Sequence, residues 1–309
     1  MRLQSKDLLG LRETPPEDIA LILETAASMK RVLRSPSKKT THLQGKSVVT
    51  LFYENSTRTR LSFEMASKFM GAASANIAAT GSSVSKGESL IDTARTIDNM
   101  ATDILVMRHS QSGAPHLIAP LVDASVVNAG DGMNEHPTQA LLDMFTIQEK
   151  LGDLRGLEIA IVGDLAHSRV LRSNTYGLLK MGASVRVAGP ATLIPPGLAQ
   201  PGVQICANVR EACRGADAVM ALRLQLERQK SALFPSVSEY AAFFALDAAA
   251  LSEAKPGALV MHPGPCNHGV EMPTAIYDSD RSVINEQVTN GVAVRMAVMY
   301  LLIARRNEA

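Results

Sequence analysis

The chain has 309 residues, 46% of them hydrophobic, with 31 Lys plus Arg against 30 Asp plus Glu and a formal net charge of +1. At ~150 residues per domain this is two domains' worth of chain, and the hydrophobic content excludes a predominantly disordered protein. The charge balance excludes bulk electrostatic binding to nucleic acid or an anionic membrane, while leaving room for a local cationic pocket.

Aromatic residues make up only 4% and Trp is absent, so the cores must rest on aliphatic residues, Ala and the 14 Met. Cys206, Cys213 and Cys266 form no CxxC pair, and an odd count offers no disulfide framework, which suits a reducing compartment. The opening MRLQSKDLLGLRE lacks the apolar stretch of a secretory signal, and no run approaches the roughly 18 apolar residues of a membrane span. A soluble, cytoplasmic protein is the expectation.

Pro15-Pro16 followed by Glu17 and Asp18 marks a helix start, with Ile19, Leu21, Ile22, Leu23 and Met29 as its apolar positions. Beyond a polar loop at 35–41, short apolar runs alternate with helical stretches. Residues 47–53 (SVVTLFY) predict a strand, and Leu61, Met65 and Phe69 at spacings of four predict the apolar stripe of the helix that follows. Further strands are predicted at 75–79, 103–107 and 124–128. A helix starts at His136-Pro137, where proline is pre-organised for the first turn and Gln139 is placed to reach back as a cap. After a turn at 152–156, strands are predicted at 157–162, 184–188, 203–206, 218–222 and 258–261, and an amphipathic helix at 291–305. This alternation predicts an α/β protein of two doubly wound parallel-sheet domains joined near the helix that begins at His136.

Ligands of open α/β sheets bind beyond the carboxyl ends of the strands, so the residues just past each predicted strand are where a site is expected. The first strand is followed by Glu54-Asn55-Ser56-Thr57-Arg58-Thr59-Arg60. Hydroxyls and a guanidinium at a helix N-terminus make an anion site, since backbone N–H groups and the dipole favour phosphate and Arg grips it bidentately. The same run also reads as helix caps with solvated arginines. Arg108-His109 follow Met107, and Gly163-Asp164 then His167-Ser168-Arg169 follow Val162. Arg223 and Gln225 follow Leu222, and His262-Pro263-Gly264-Pro265 follow Met261. Each has a plain reading as a surface arginine or a Pro/Gly turn. Together they repeat arginine at strand carboxyl ends, which points to small, highly anionic substrates.

Nucleotide signatures are missing: there is no GxxxxGK[ST], and GDLAHS after Val162 is not GxGxxG. His262, Cys266 and His268 lie close in sequence, but zinc would want a fourth ligand at recognisable spacing, so no metal is expected. His136, Thr138, Gln139 and Asp143 form a polar constellation, and GSSVSKGES (81–89) reads as a mobile loop.

Four motifs in order, FYENSTRTRLSFE (52–64), VMRH (106–109), HPTQALLD (136–143) and HPGP (262–265), resemble the carbamoyltransferase family, and within it the catalytic chains of the aspartate branch. The likeness spans essentially the whole chain. It implies a first domain of residues 1–137 plus 291–309 that binds carbamoyl phosphate, the C-terminal helix returning to it, and a second domain of residues 138–290 that binds L-aspartate. The implied reaction gives N-carbamoyl-L-aspartate and phosphate, an early step of de novo pyrimidine biosynthesis, with no covalent enzyme intermediate and no metal or organic cofactor.

By position in the motifs, Ser56, Thr57, Arg58, Thr59 and Arg108 would grip the phosphate. Thr59, Arg108 and His136 would surround the carbamoyl oxygen, and Gln139 with the Gly264-Pro265 turn would hold the carbamoyl amide. Arg169, Arg223 and Gln225 match the positions that bind the aspartate carboxylates. Ser82 and Lys86 match a loop that reaches into a neighbouring subunit's site, Lys86 serving both substrates, which implies a homotrimer with shared active sites. Thr59, Arg108, His136, Gln139 and Lys86 are the expected catalytic groups. Attached regulatory or dihydroorotase chains are compatible with the sequence; nucleic acid and membrane are not expected partners.

The chemistry accounts for these residue types. The neutral α-amine attacks the carbamoyl carbon, an oxyanion forms and phosphate leaves, while Arg58, Lys86, Arg108, Arg169 and Arg223 offset the charge of two anions. Ornithine carbamoyltransferase shares STRTR and HPxQ, but it carries Cys-Leu-Pro where this chain has the HPGP turn and generally lacks the lysine of Ser85-Lys86-Gly87-Glu88. A cationic co-substrate also fits poorly beside Arg169 and Arg223. A catalytically silent relative would have lost one of the site cations or His136, and all are present. Close relatives tend to have Arg where this chain has His268.

Overall fold

The short Val-, Ile- and Leu-rich runs become two parallel sheets in a computed structural model that describes residues 2–78, 87–226 and 236–307. The chain divides into one unit of Met1–Phe145 with Thr289–Ala309 and a second of Thr146–Val288.

In the first unit, α1 (Pro16–Arg34) precedes β1 (Ser47–Phe52), α2 (Thr57–Phe69), β2 (Ala73–Ala78), α3 (Leu90–Asp98), β3 (Ile104–His109), α4 (Ala114–Ile118), β4 (Ser125–Asp131) and the start of α5 (Pro137–Leu151). The sheet order is β2-β1-β3-β4, every pair parallel. The second unit contains β5 (Glu158–Val162), α6 (Arg169–Lys180), β6 (Ser184–Ala188), β7 (Val203–Ile205), α7 (Val209–Cys213), β8 (Ala218–Ala221), α8 (Val237–Phe244), α9 (Ala248–Ser252), β9 (Leu259–Met261), α10 (Thr274–Tyr277) and the start of α11 (Ile284–Asn307). Its order is β7-β6-β5-β8-β9, again all parallel. Every predicted strand is found, with ends displaced by at most three residues. The helices α5 and α11 run across the boundary between the units.

Local signals explain where the elements begin. Helix α1 has proline in its first turn, Glu17 and Asp18 at its positive end and Arg31 and Arg34 at its negative end. It buries Ile19, Ile22, Leu23, Ala26 and Met29, a stripe of helical period. Buried strands covered on both faces read as near-continuous apolar runs, as in the first four residues of β3.

Two helix faces differ from expectation. In α2 the stripe of Leu61, Met65 and Phe69 is not the core face: Leu61 is 53% exposed, whereas Phe63, Ala66, Ser67 and Met70 are buried. Both stripes have helical spacing, so periodicity alone does not choose between them. Helix α11 is not amphipathic but buried on nearly every side, including Val294, Met296, Val298, Leu301 and Leu302. An 18-residue window of it has mean hydropathy 1.3, long and apolar enough by composition to cross a membrane, yet 72% of that window is buried within the protein. It returns to the first unit, where Arg306 Nη1 donates to the carbonyls of Asp103 (3.2 Å) and Asp123 (2.6 Å). Tyr300 packs edge-on against His42 at 5.0 Å.

Candidate active site

The order of the first sheet reverses between β1 and β3, the point at which open sheets bind ligands. Past β1 the chain reaches Ser56, the residue before α2, in extended conformation. The Ser56 side chain makes no capping bond, and the first turn of α2 holds no acidic residue. The positive end of a 13-residue helix is therefore left without a side-chain cap, as an anion site requires. That decides against the capping reading at Ser56. Thr59 is buried, while Thr57 and Arg58 lie exposed.

Past β3, a register shift against β4 between Met107 and His109 sets Arg108 at an irregularity that re-aims its side chain. Arg108 Nε donates to Glu54 Oε2 at 3.2 Å and Nη1 to the Ala129 carbonyl at 3.4 Å. His109 is occupied differently. Its ring lies 4.8 Å from that of Tyr53, its Nδ1 accepts the Gln111 N–H at 2.9 Å, and burial holds its pKa below the usual value.

Two buried carboxylates deliver His136. Asp131 accepts from Gly113 N (2.6 Å), Asn128 Nδ2 (2.8 Å), Asn134 Nδ2 (3.0 Å) and Glu135 N (3.0 Å). Glu135 accepts the Leu11 N–H at 2.7 Å, and the space its carboxylate occupies is the space a Cβ at Gly10 would need. The turn between them leaves His136 buried at the start of α5. Gln139 does not reach back to cap that helix. Its Nε2 donates forward to Asp143 Oδ1 at 3.0 Å, because a buried carboxylate one turn on is the stronger acceptor.

In the second unit the order reverses between β5 and β8. Asp164, wholly buried just past β5, accepts His167 Nδ1 at 2.9 Å and the backbone N–H of Gln225 at 3.1 Å. Ser168 caps α6 by accepting from Leu171 N, and Arg169 is the first residue of that helix, 4% exposed. Past β8, Leu224 points inward and its N–H donates to Glu271 Oε1 at 2.9 Å. Arg223 and Gln225, on either side of it, are only half-buried. Two buried carboxylates thus pin the backbone that presents this Arg/Gln pair.

Past β9, His262 Nδ1 accepts the Gly264 N–H at 2.8 Å, and the Gly264–Pro265 peptide is cis. The metal candidates change partners here: donor atoms of His262, Cys266 and Glu271 all lie within 4.8 Å of one another. His268 instead packs against Tyr277 at 4.7 Å. The trio does not fit a metal. Glu271 is taken by Leu224 N, Asn267 N (2.5 Å) and Asn267 Nδ2 (2.7 Å). With Nδ1 of His262 accepting, a neutral ring carries its proton on Nε2 and offers no lone pair there.

Ser82 and Lys86 lie outside the described residues. Glu54 and Asp164 are visible at strand ends in the sequence, but nothing local distinguishes Asp131, Glu271 or Arg295 from surface charges.

Two doubly wound parallel units, each with arginines at the switch point of its sheet, define a two-domain α/β enzyme of small anionic substrates. The chain belongs to the aspartate/ornithine carbamoyltransferase family: residues 6–149 match its carbamoyl-P binding domain and residues 155–302 its Asp/Orn binding domain. It is 63% identical to the aspartate carbamoyltransferase catalytic subunit of Ruminiclostridium cellulolyticum, over 99% of this chain and 97% of that one. Among solved structures it is similar to aspartate transcarbamoylase from Trypanosoma cruzi in complex with carbamoyl phosphate, with TM-score 0.86 and 32% identity over 96% of each chain. Ornithine carbamoyltransferase from Pyrococcus furiosus superposes with TM-score 0.86 at 28% identity, covering 97% of this chain and 98% of that one.

Proposed function

We propose that this chain transfers the carbamoyl group of carbamoyl phosphate to the α-amine of L-aspartate. The observation that carries the reading is the uncapped N-terminus of α2 beside Arg108, at the switch point of the first sheet. Such a site suits a phosphate dianion, with Ser56, Thr57, Arg58, Thr59 and Arg108 as its donors. The identity to relatives named for the aspartate reaction, and Arg169 and Arg223 past β5 and β8, favour a dicarboxylate over a cationic co-substrate.

In this reading residues 1–137 plus 291–309 bind carbamoyl phosphate and residues 138–290 bind L-aspartate, through Arg169, Arg223 and Gln225. Thr59, Arg108 and His136 donate to the carbamoyl oxygen as it becomes an oxyanion, and Gln139 with the Gly264-Pro265 turn accepts from the carbamoyl NH2. Pre-aimed donors of this kind are the largest expected catalytic contribution, each worth ~3 kcal/mol. The leaving phosphate is itself a base for the amine proton, so no protein nucleophile is needed. Ser82 and Lys86 complete the site of a neighbouring subunit in a homotrimer. Three free cysteines support a reducing compartment, the cytoplasm.

The test is product formation from carbamoyl phosphate with L-aspartate or L-ornithine at matched concentrations. Carbamoyl-aspartate alone is expected. Citrulline would overturn the reading of the second domain while keeping the phosphate site.

A further inference from the structure

A glutamine side chain can face a substrate with its oxygen or with its NH2, and the two are nearly equal in shape. At Gln139 the choice matters: the carbamoyl group ends in an NH2, which needs an acceptor, and a reversed Gln139 would meet it donor to donor. What lies behind Gln139 decides the orientation. Its Nε2 donates to Asp143 Oδ1 at 3.0 Å, and a carboxylate is an acceptor only, so the amide nitrogen must face Asp143 and the oxygen must face away.

Asp143 is wholly buried, and its counter-charge comes from the far end of the chain. Arg295 of α11 is 4% exposed, with its guanidinium 5.0 Å above the ring of Phe63. Burial lowers its pKa to about 10, with the charge of Asp143 acting in the opposite direction. Helix α11 is shaped to admit it. A Cβ at Gly291 would lie 2.6 Å from Arg295 Nη1 and 3.2 Å from Leu142 Cδ2, so a side chain there would displace the guanidinium one turn further on. All these groups belong to the first unit.

We propose that Asp143, with Arg295 as its counter-charge, is a positioning residue that fixes the amide of Gln139 oxygen-outward and so makes the site select a carbamoyl over an acyl group. The inference rests on the carbamoyl-transfer reading above and adds the origin of its group specificity. Neither Asp143 nor Arg295 touches substrate in this account.

The probe is acetyl phosphate, in which CH3 replaces NH2 and nothing remains to donate to Gln139. Wild type and Asp143→Asn are compared by kcat and KM for carbamoyl phosphate and by Ki for acetyl phosphate. An asparagine offers both a donor and an acceptor, so Gln139 is no longer held one way round. The expected result is a loss of tenfold or more in kcat/KM for carbamoyl phosphate with Ki for acetyl phosphate unchanged within twofold, since sites built to hydrogen-bond a group discriminate strongly through it. Arg295→Lys, which keeps the charge, should retain most of the selectivity.

If Asp143→Asn does not fold, the double variant Asp143→Asn/Arg295→Gln removes both charges together and takes its place in the same assay. Equal losses toward both phosphates would show a merely structural role and overturn this inference alone. Failure of the wild-type protein to use carbamoyl phosphate would overturn the underlying reading, and this one with it.

Discussion

Arg108 Nε donates to Glu54 Oε2 at 3.2 Å, with the two side chains 12% and 23% exposed. The guanidinium proposed to meet the phosphate therefore already carries a carboxylate, which repels an arriving dianion. Glu54→Gln keeps the shape and removes the repulsion. Inorganic phosphate should then bind about tenfold more tightly, or ~1.4 kcal/mol, by calorimetric titration. Weaker binding would mean that Glu54 chiefly holds Arg108 in place.

Glu271 joins the turn after β9 to the loop after β8, through Leu224 N on one side and Asn267 on the other. Glu271→Gln sets an NH2 among backbone donors, and a buried donor left unsatisfied costs ~1–3 kcal/mol. Because the strained backbone is the one presenting Arg223 and Gln225, KM for aspartate should rise about tenfold with phosphate affinity unchanged. A lowered melting temperature with KM for aspartate unchanged would show a general loss of structure instead.

If Lys86 serves a neighbouring subunit, inactive Lys86→Ala and His136→Ala proteins should regain activity when mixed under conditions that exchange subunits. Each mixed trimer then carries one intact site of its three, so full exchange of an equal mixture should recover about a quarter of wild-type turnover. No recovery despite exchange, verified by mass spectrometry of the assembled trimers, would rule out shared sites.

The buried ring of His109 has a lowered pKa, through burial first, with the charge of Asp131 opposing. The unfolded chain, with a histidine pKa of about 6.5, then takes up a proton at a higher pH than the folded chain does. Below that pH the unfolded state binds more protons, so stability rises with pH through this window and is lost on acidification. The melting temperature should fall between pH 7.5 and 5, and less so in His109→Asn, whose Oδ1 can still accept the Gln111 N–H. An identical fall in both proteins would assign the acid sensitivity elsewhere.

The strands of the described residues were legible because a parallel strand covered on both faces must be a short apolar run, bounded where the chain turns to helix. The arginines proposed for the site stood out for a related reason. Residues just past such runs lie at the carboxyl edge of a sheet, where the chain leaves the core and can meet a ligand. Helix faces were less so. The period of α2 allows two adjacent stripes, and α11 has almost no polar face to orient it.

The sequence by itself determined the αβ alternation, the cationic residues at the strand ends and the family motifs, since each depends on neighbours within a few residues. Tertiary structure decided which groups hold those residues in place. Leu224 meets Glu271 across 47 positions and Gln225 meets Asp164 across 61. Gln139 looked like a helix cap, and instead its amide nitrogen donates to Asp143, because a buried carboxylate is the stronger partner. Contacts of that range are set by how the sheets and helices pack, and a local pattern carries no trace of them.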